Sequence, residues 1–292
     1  MVVKAGGRGA ESVWRAVGHF AAPVVAGLIR PRATIGVAGG RTIGELVRAL
    51  VPVKRVDDVD VVQLMGHIDP TARRADAPEV GRTLAQHVGG PFSAVNAPAF
   101  VADRQTCEAF LAHEQIRQVW RRFEIVDLAL VGIGTLEDSV FAERGVLDRT
   151  DYARLRELGA VGEICGRFFD RDGRECASEY RDRVISIDLD ALRQRPEVVA
   201  VTNGASRRAA ILAALRGRLI TSLVIDDAGA TALLSPEATV DEPFADEKGG
   251  PIDPDRAARS PVRTTERRPG AVAWPGRFDE EDRWIARSRA DG

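Results

Sequence analysis

Six short runs of near-continuous apolar residues mark out the first 234 positions: 33–38 (ATIGVA), 60–65 (DVVQLM), 126–131 (VDLALV), 183–187 (RVISI), 197–202 (EVVAVT) and 219–225 (LITSLVI). Runs of this length that lack an in-and-out alternation suit strands covered on both faces, the habit of parallel sheets. Between them, amphipathic spacing predicts helices over 11–29, 42–50, 78–89, 103–121, 151–158, 206–216 and 227–234. Strands alternating with helices predict an α/β fold, a doubly wound, mostly parallel sheet. No repeat of fixed period interrupts that pattern.

Beyond residue 234 the pattern changes. Seven of the fifteen prolines fall in residues 235–292, together with 13 acidic and 10 basic residues and few aliphatic ones. Such a segment buries too little surface to offset its ordering entropy. The expected organisation is therefore a domain over 1–234 and a mostly disordered tail over 235–292. Within the tail, Trp274, Phe278, Trp284 and Ile285 lie in a stretch that Asp279 could cap as a short helix.

Composition excludes several function classes. Lys and Arg number 41 against 43 Asp and Glu, a formal charge of −2, so bulk positive charge cannot hold nucleic acid here. No stretch approaches the roughly 18–20 apolar residues of a membrane span. The first twenty residues carry Arg8, Glu11 and Arg15 where a signal peptide needs its apolar core, so a cytoplasmic chain is expected. Cys107, Cys165 and Cys176 form no CxxC pair, and His19, His67, His87 and His113 are scattered singly. Neither a disulfide framework nor a metal site is signalled, and no cofactor is implied. There is no GxSxG elbow, and no Cys has an evident His partner for nucleophilic catalysis.

Three strands run into glycine-rich turns: Gly36 to Thr42 (GVAGGRT), Val131 to Thr135 (VGIGT) and Val201 to Arg207 (VTNGASR). In an open α/β sheet such turns lie at the carboxyl ends of the strands, where a switch in strand order opens a crevice. Gly39, Gly40, Arg41 and Thr42 have the parts of an anion cradle: close backbone approach, helix N–H donors, a guanidinium and a hydroxyl. Asn203, Gly204 and Ser206 with Arg207 repeat the design at a second helix start, and Gly132 and Gly134 lie between. Two such ends suit a phosphorylated sugar, with one anion per cradle or one cradle per end of the molecule. The spacing is neither GxxxxGK[ST] nor GxGxxG, which excludes those nucleotide motifs. The bland alternative is a set of tight strand-to-helix connections.

Further candidates are carboxylates and one imidazole. Glu163, between Gly162 and Gly166 amid apolar residues, is read either as an acceptor for sugar hydroxyls or a general base, or as a turn carboxylate. Asp226 follows the last strand and is read as a site carboxylate or a helix cap. His67, after Gly66, stands at another strand end within reach of a ligand.

Taken together, IGVAGGRTIGELV, VVQLMGHID, NAPAFV, DLALVGIG, GAVGEICGRFFDRDG, VVAVTNGASRRAAILAALRG and LVIDDAGATALL resemble, in family order, the sugar-binding effector domain of SorC-type bacterial transcriptional regulators. The resemblance runs from about residue 12 to residue 234. It implies a fold similar to the sugar-phosphate isomerase, glucosamine-phosphate deaminase and CoA-transferase group, used for sensing. It also implies a phosphorylated-sugar effector and a homo-oligomer whose packing or DNA affinity responds to that effector.

On this resemblance the phosphate turn falls on Gly39, Gly40, Arg41 and Thr42, the helix-start anion site on Gly204 and Arg207, and the floor on Gly132 and Gly134. Three departures bear on the ligand. Arg207 replaces the family's usual lysine and cannot form a Schiff base. Met65 and His67 differ around Gly66, and Glu163 stands where Asp is commoner. The first sheet strand is expected near residue 33 with one helix before it, so DNA contact is expected only through a partner or a missing N-terminal domain. The alternative function is an enzyme of the sugar-phosphate isomerase or deaminase kind, with Glu163 or Asp226 moving a proton.

Overall fold

The computed structural model describes residues 1–6, 9–50, 58–68 and 75–235, together with the strand segments 271–272, 276–278 and 284–286. The chain begins with β1 (Val2–Val3), α1 (Ala10–Leu28), β2 (Thr34–Val37), α2 (Arg41–Ala49), β3 (Asp60–Gln63), α3 (Ala77–Val88) and β4 (Phe92–Ser93). It continues through α4 (Arg104–Ala112), α5 (Glu114–Phe123), β5 (Leu128–Val131), α6 (Val140–Glu143) and α7 (Arg149–Glu157) to a hairpin of β6 (Gly162–Ile164) and β7 (Arg167–Phe169). Then come α8 (Leu189–Arg193), β8 (Glu197–Val201), a 3₁₀ turn over Ala205–Arg207, α9 (Arg208–Arg216), β9 (Ser222–Asp226) and α10 (Asp227–Leu234).

A strand sends successive side chains to opposite faces. In β5, Leu128 and Leu130 enter one apolar cluster while Ala129 and Val131 enter the other. Val199 and Val201 of β8 follow the first pair, and Val198 and Ala200 the second. Both faces are therefore buried, which explains why these strands read as continuous apolar runs. One cluster also holds Val17, Val25, Ile43, Leu46 and Leu84 from α1, α2 and α3, and the other holds Ile116, Phe123, Ile211 and Ala214 from α5 and α9.

Strand order in the sheet is β1-β9-β8-β5-β2-β3-β4, all parallel, with β10 (Ala271–Val272) added antiparallel outside β1. From β2 the chain moves outward to β3 and β4, then returns to place β5 on the other side of β2. The carboxyl ends of β2 and β5 flank that reversal, the place where an open sheet forms a crevice. The expected doubly wound α/β fold is the one observed.

Several expectations are corrected. Residues 183–187 add no strand to the sheet: Val184 and Ser186 make isolated bridges to Phe100 and Met65. Their neighbours Ile185 and Ile187 are buried in the core beside the sheet, so the apolar run reports burial and not a ladder. The helix expected over 103–121 breaks at His113, which is extended (φ −69°, ψ 131°) and ends α4 before α5 begins. The β6–β7 hairpin, unforeseen, turns on Cys165 and Gly166, both at positive φ (54° and 79°), as a two-residue type I′ loop requires.

In the tail, β11 (Gly276–Phe278) and β12 (Trp284–Ala286) pair antiparallel, so Phe278, Trp284 and Ile285 belong to strands and not to a helix. Asp279 and most of the expected disordered tail lie outside the described residues. No helix among the described residues is long and apolar enough to cross a membrane.

Candidate functional site

At the carboxyl edge of the sheet, above β2, β5 and β8, lies a cleft of about 840 Å³ including its solvent-open part. Its walls bring together Gly39, Gly40, Arg41 and Thr42 after β2, Gly132 and Gly134 after β5, Asn203 and Arg207 after β8, and Glu163 from β6. Residues from Gly39 to Arg207, 168 positions apart in the chain, thus share one site.

The first wall depends on two glycines. Gly40 has φ +129° and ψ 154°, a conformation essentially confined to glycine, and it starts α2 without a side-chain cap. The first N–H groups of a helix have no partner within it, and here they adjoin the cleft with the positive end of the helix dipole. Gly18 lets α1 press onto α2: a Cβ there would meet the Glu45 Cβ and the Leu46 N at 2.7 Å. This close packing brings the Trp14 ring beneath Arg41, whose Cζ lies 4.3 Å from the ring centroid. A guanidinium on an aromatic face is attracted by the ring quadrupole and loses side-chain freedom.

The opposite wall starts at Gly204 (φ 89°), also without a side-chain cap on the 3₁₀ turn that leads into α9. Arg207 donates through Nη1 to the Asn203 carbonyl and through Nη2 to Asp138. Arg41 donates through Nη2 to the other oxygen of Asp138 at 3.0 Å. The two expected arginines therefore converge on one carboxylate.

The floor is built from Gly134 and Glu163, which exchange backbone hydrogen bonds of 3.0 Å in both directions. A Cβ on Gly134 would come within 2.7 Å of the Glu163 Oε2, so glycine makes room for that carboxylate. Glu163 is buried and accepts the Gly166 N–H through Oε1. Burial pushes its carboxyl up to about 7, with the Gly166 bond opposing the shift. Cys165, also on the cleft wall, has its thiol pushed far up by burial and by the charge of Glu163, so it is no nucleophile at neutral pH.

Four candidates do not line the main cleft: Gly204, which only carries the turn to Arg207, and Gly66, His67 and Asp226. Gly66 borders a side recess with Gly39, Gly40 and Met65. His67 lines neither space; its backbone is bonded to Ala97 and Ala99, and burial pushes its imidazole pKa down, opposed by Asp76. Asp226 is buried and caps α10, accepting the Gly229 N–H at 3.3 Å and the Gly204 N–H at 2.7 Å. Of its two sequence readings, the geometry is that of the cap, and through Gly204 it also fixes the turn that presents Arg207.

Sequence reasoning missed Trp14, Asp138, Ser139, Arg144 and Thr202, all on the cleft wall. Arg144 is paired with Asp76 at 3.0 Å, both nearly buried. Thr202 holds two strand ends together by donating to the Ile133 carbonyl at 3.3 Å. The segment Thr135 to Val140 (TLEDSV) did carry a signal: a Ser-led start to a helix directly after a glycine-rich strand end.

Among known proteins, the family described as "Putative sugar-binding domain" matches residues 1–235. The uncharacterized transcriptional regulator YjhU of Escherichia coli (strain K12) is 30% identical over 70% of this chain and 62% of its own length. The deoxyribonucleoside regulator of Bacillus subtilis (strain 168) is 28% identical over 69% of this chain and 64% of its own. In fold, the full-length sorbitol operon regulator SorC of Klebsiella pneumoniae superposes with a TM-score of 0.75 at 23% identity, covering 80% of this chain and 76% of that one. The chain thus spans less than two thirds of the length of either curated relative. These relatives are named as regulators, which leaves the isomerase or deaminase alternative without support.

Proposed function

The chain belongs to the sugar-binding domain family of bacterial transcriptional regulators through residues 1–235, and from that premise we propose that it is the effector-sensing unit of a SorC-type regulator whose effector is a phosphorylated sugar. The observation that carries this reading is the convergence of Arg41 and Arg207, from two helix starts without side-chain caps, at the reversal point of the sheet. Guanidinium groups and helix N-termini both favour phosphate, and here the α2 start and the Arg41 and Arg207 side chains line one cleft. Asn203, Thr42 and Glu163 supply donors and an acceptor for hydroxyls, and Trp14 an apolar face.

In this reading the domain spans 1–234, the tail 235–292 reaches its sheet through the Ala271–Val272 strand but takes no part in sensing, and the sensor acts as a homo-oligomer whose packing shifts on binding. It reads DNA only through a partner or a separate module, since a formal charge of −2 gives no bulk attraction to the duplex.

A thermal-shift screen of phosphorylated sugars, each beside its unphosphorylated parent, tests the proposal. A ligand at about 100 times its Kd adds roughly 2.7 kcal/mol, a rise of about 5–10 °C for a domain of this size. Only phosphorylated members should shift the melt, and Arg41→Ala and Arg207→Ala should each remove the shift. Equal shifts from the parents, or none from any phosphorylated sugar, would refute it.

A further inference from the structure

The two arginines of the cleft are already engaged by a carboxylate of the chain itself. Asp138 gives one oxygen to Arg41 at 3.0 Å and the other to Arg207. A phosphate would meet these guanidinium groups in the same way, one oxygen to each. The Arg207 side chain is only 12% exposed, so its pairing is little screened by solvent.

The three residues are not held equally. Arg41 leads off α2 and lies on the Trp14 ring; Arg207 ends the 3₁₀ turn and is tied to the Asn203 carbonyl. Asp138 comes from the connection between β5 and α6, outside any helix or strand, where its N–H donates to the Thr135 hydroxyl at 3.1 Å; its side chain is about as exposed as that of Arg41. When an anion enters, the arginines stay with their helices and the carboxylate is the group that can leave.

We propose that Asp138 is a specificity-determining residue of this sensor: an internal carboxylate that competes for Arg41 and Arg207 and that the effector's anionic group must displace. This deepens the phosphorylated-sugar reading and rests on it. The exchange sets a threshold on ligand charge. A neutral sugar offers nothing to the arginines in return for the lost carboxylate. A sugar acid replaces one carboxylate with another at no gain. A phosphate monoester brings about −1.5 to −2 charges and three acceptor oxygens, and alone comes out ahead. Displacement also moves the residues next to Asp138, including Ser139, whose hydroxyl accepts the Ala142 N–H at the start of α6. The binding event is thereby written into the backbone on the cleft rim.

Calorimetric titration of the full chain with inorganic phosphate, and separately with acetate, at constant low ionic strength tests the inference on wild type, Asp138→Asn and Asp138→Ala. Both variants should bind phosphate at least tenfold more tightly than wild type, and acetate binding should appear in the variants only. Without phosphate both should melt below wild type, because two guanidinium groups are left facing each other, and phosphate should restore the difference. Hydrogen exchange of residues 135–139 in wild type, which needs no variant, should quicken when phosphate is added. Phosphate affinity unchanged or weakened in both variants, or no phosphate binding by any of the three proteins, would overturn the proposal. If phosphorylated sugars shift wild type while removing Asp138 tightens nothing, the sensor reading survives and the competition does not. If removing Asp138 tightens phosphate binding while no phosphorylated sugar shifts wild type, the competition stands and the sugar-phosphate effector falls.

Discussion

Two helices leave the carboxyl edge of the sheet directly after a parallel strand, and their first turns are finished in opposite ways. α10 begins on Asp226, whose carboxylate accepts the Gly229 N–H and reaches across to the Gly204 N–H. α2 begins on Gly40, which has no side chain to offer and a backbone angle that few other residues can adopt. The same position in the fold thus carries two chemistries. Where the chain supplies its own anion the helix start is closed, and where glycine supplies none the start has no side-chain cap.

Putting an acid at the open start is the most severe way to break this contrast. Gly40→Asp should abolish the sugar-phosphate response, a loss of more than about 100-fold in affinity by calorimetry, with about 1–3 kcal/mol of backbone strain in the melt. Retained binding would show that the α2 start is not used.

Next comes the buried acid that a single backbone N–H is seen to serve. Glu163 has its carboxyl raised to about 7 against an ordinary 4.5, so its protonated form is favoured by folding. The stability this confers is full below about pH 4.5 and is lost as pH rises through 7, an effect of up to about 3 kcal/mol. Denaturant titrations from about pH 4.5 to 8 should show that decline in wild type and a flatter profile in Glu163→Gln. An unchanged profile would mean that Glu163 is charged throughout.

Removing the closed cap, Asp226→Ala, should cost roughly 2 kcal/mol, since it exposes one helix start and strands the Gly204 N–H. It should also weaken sugar-phosphate binding several-fold, because Gly204 carries the turn of Arg207; a stability loss without that weakening would separate the two starts. Smallest is Asp148→Ala, at the capping box of α7 away from the cleft walls. It should lower stability by about 1 kcal/mol and leave binding unchanged. An effect on binding would mean that any cap matters to the site.

How much of this could be read from the sequence follows from how local each feature is. The β2, β5 and β8 strands and the glycine turns that follow them are continuous in the chain, and their spacing announced both the sheet and the cleft. The 183–187 run was equally apolar and misled, because burial beside a sheet and burial within one leave the same pattern. Cys165 at positive φ hid the β6–β7 hairpin, since its turn lacks the Asn-Gly or Asp-Gly pair that marks such loops. Asp138 is hard to see as a site residue, because its partners lie 97 and 69 positions away and the local pattern around it marks only a helix start after a glycine-rich strand end.

The order of the sheet has one more consequence. Arg41, Asp138 and Arg207 follow β2, β5 and β8, which are neighbours in space but belong to the beginning, middle and end of the domain. A molecule bound among them acts as a removable cross-link between distant stretches of chain. Its protection should therefore spread along all three central strands at once, so that exchange of their amides slows together whenever the sensor is occupied.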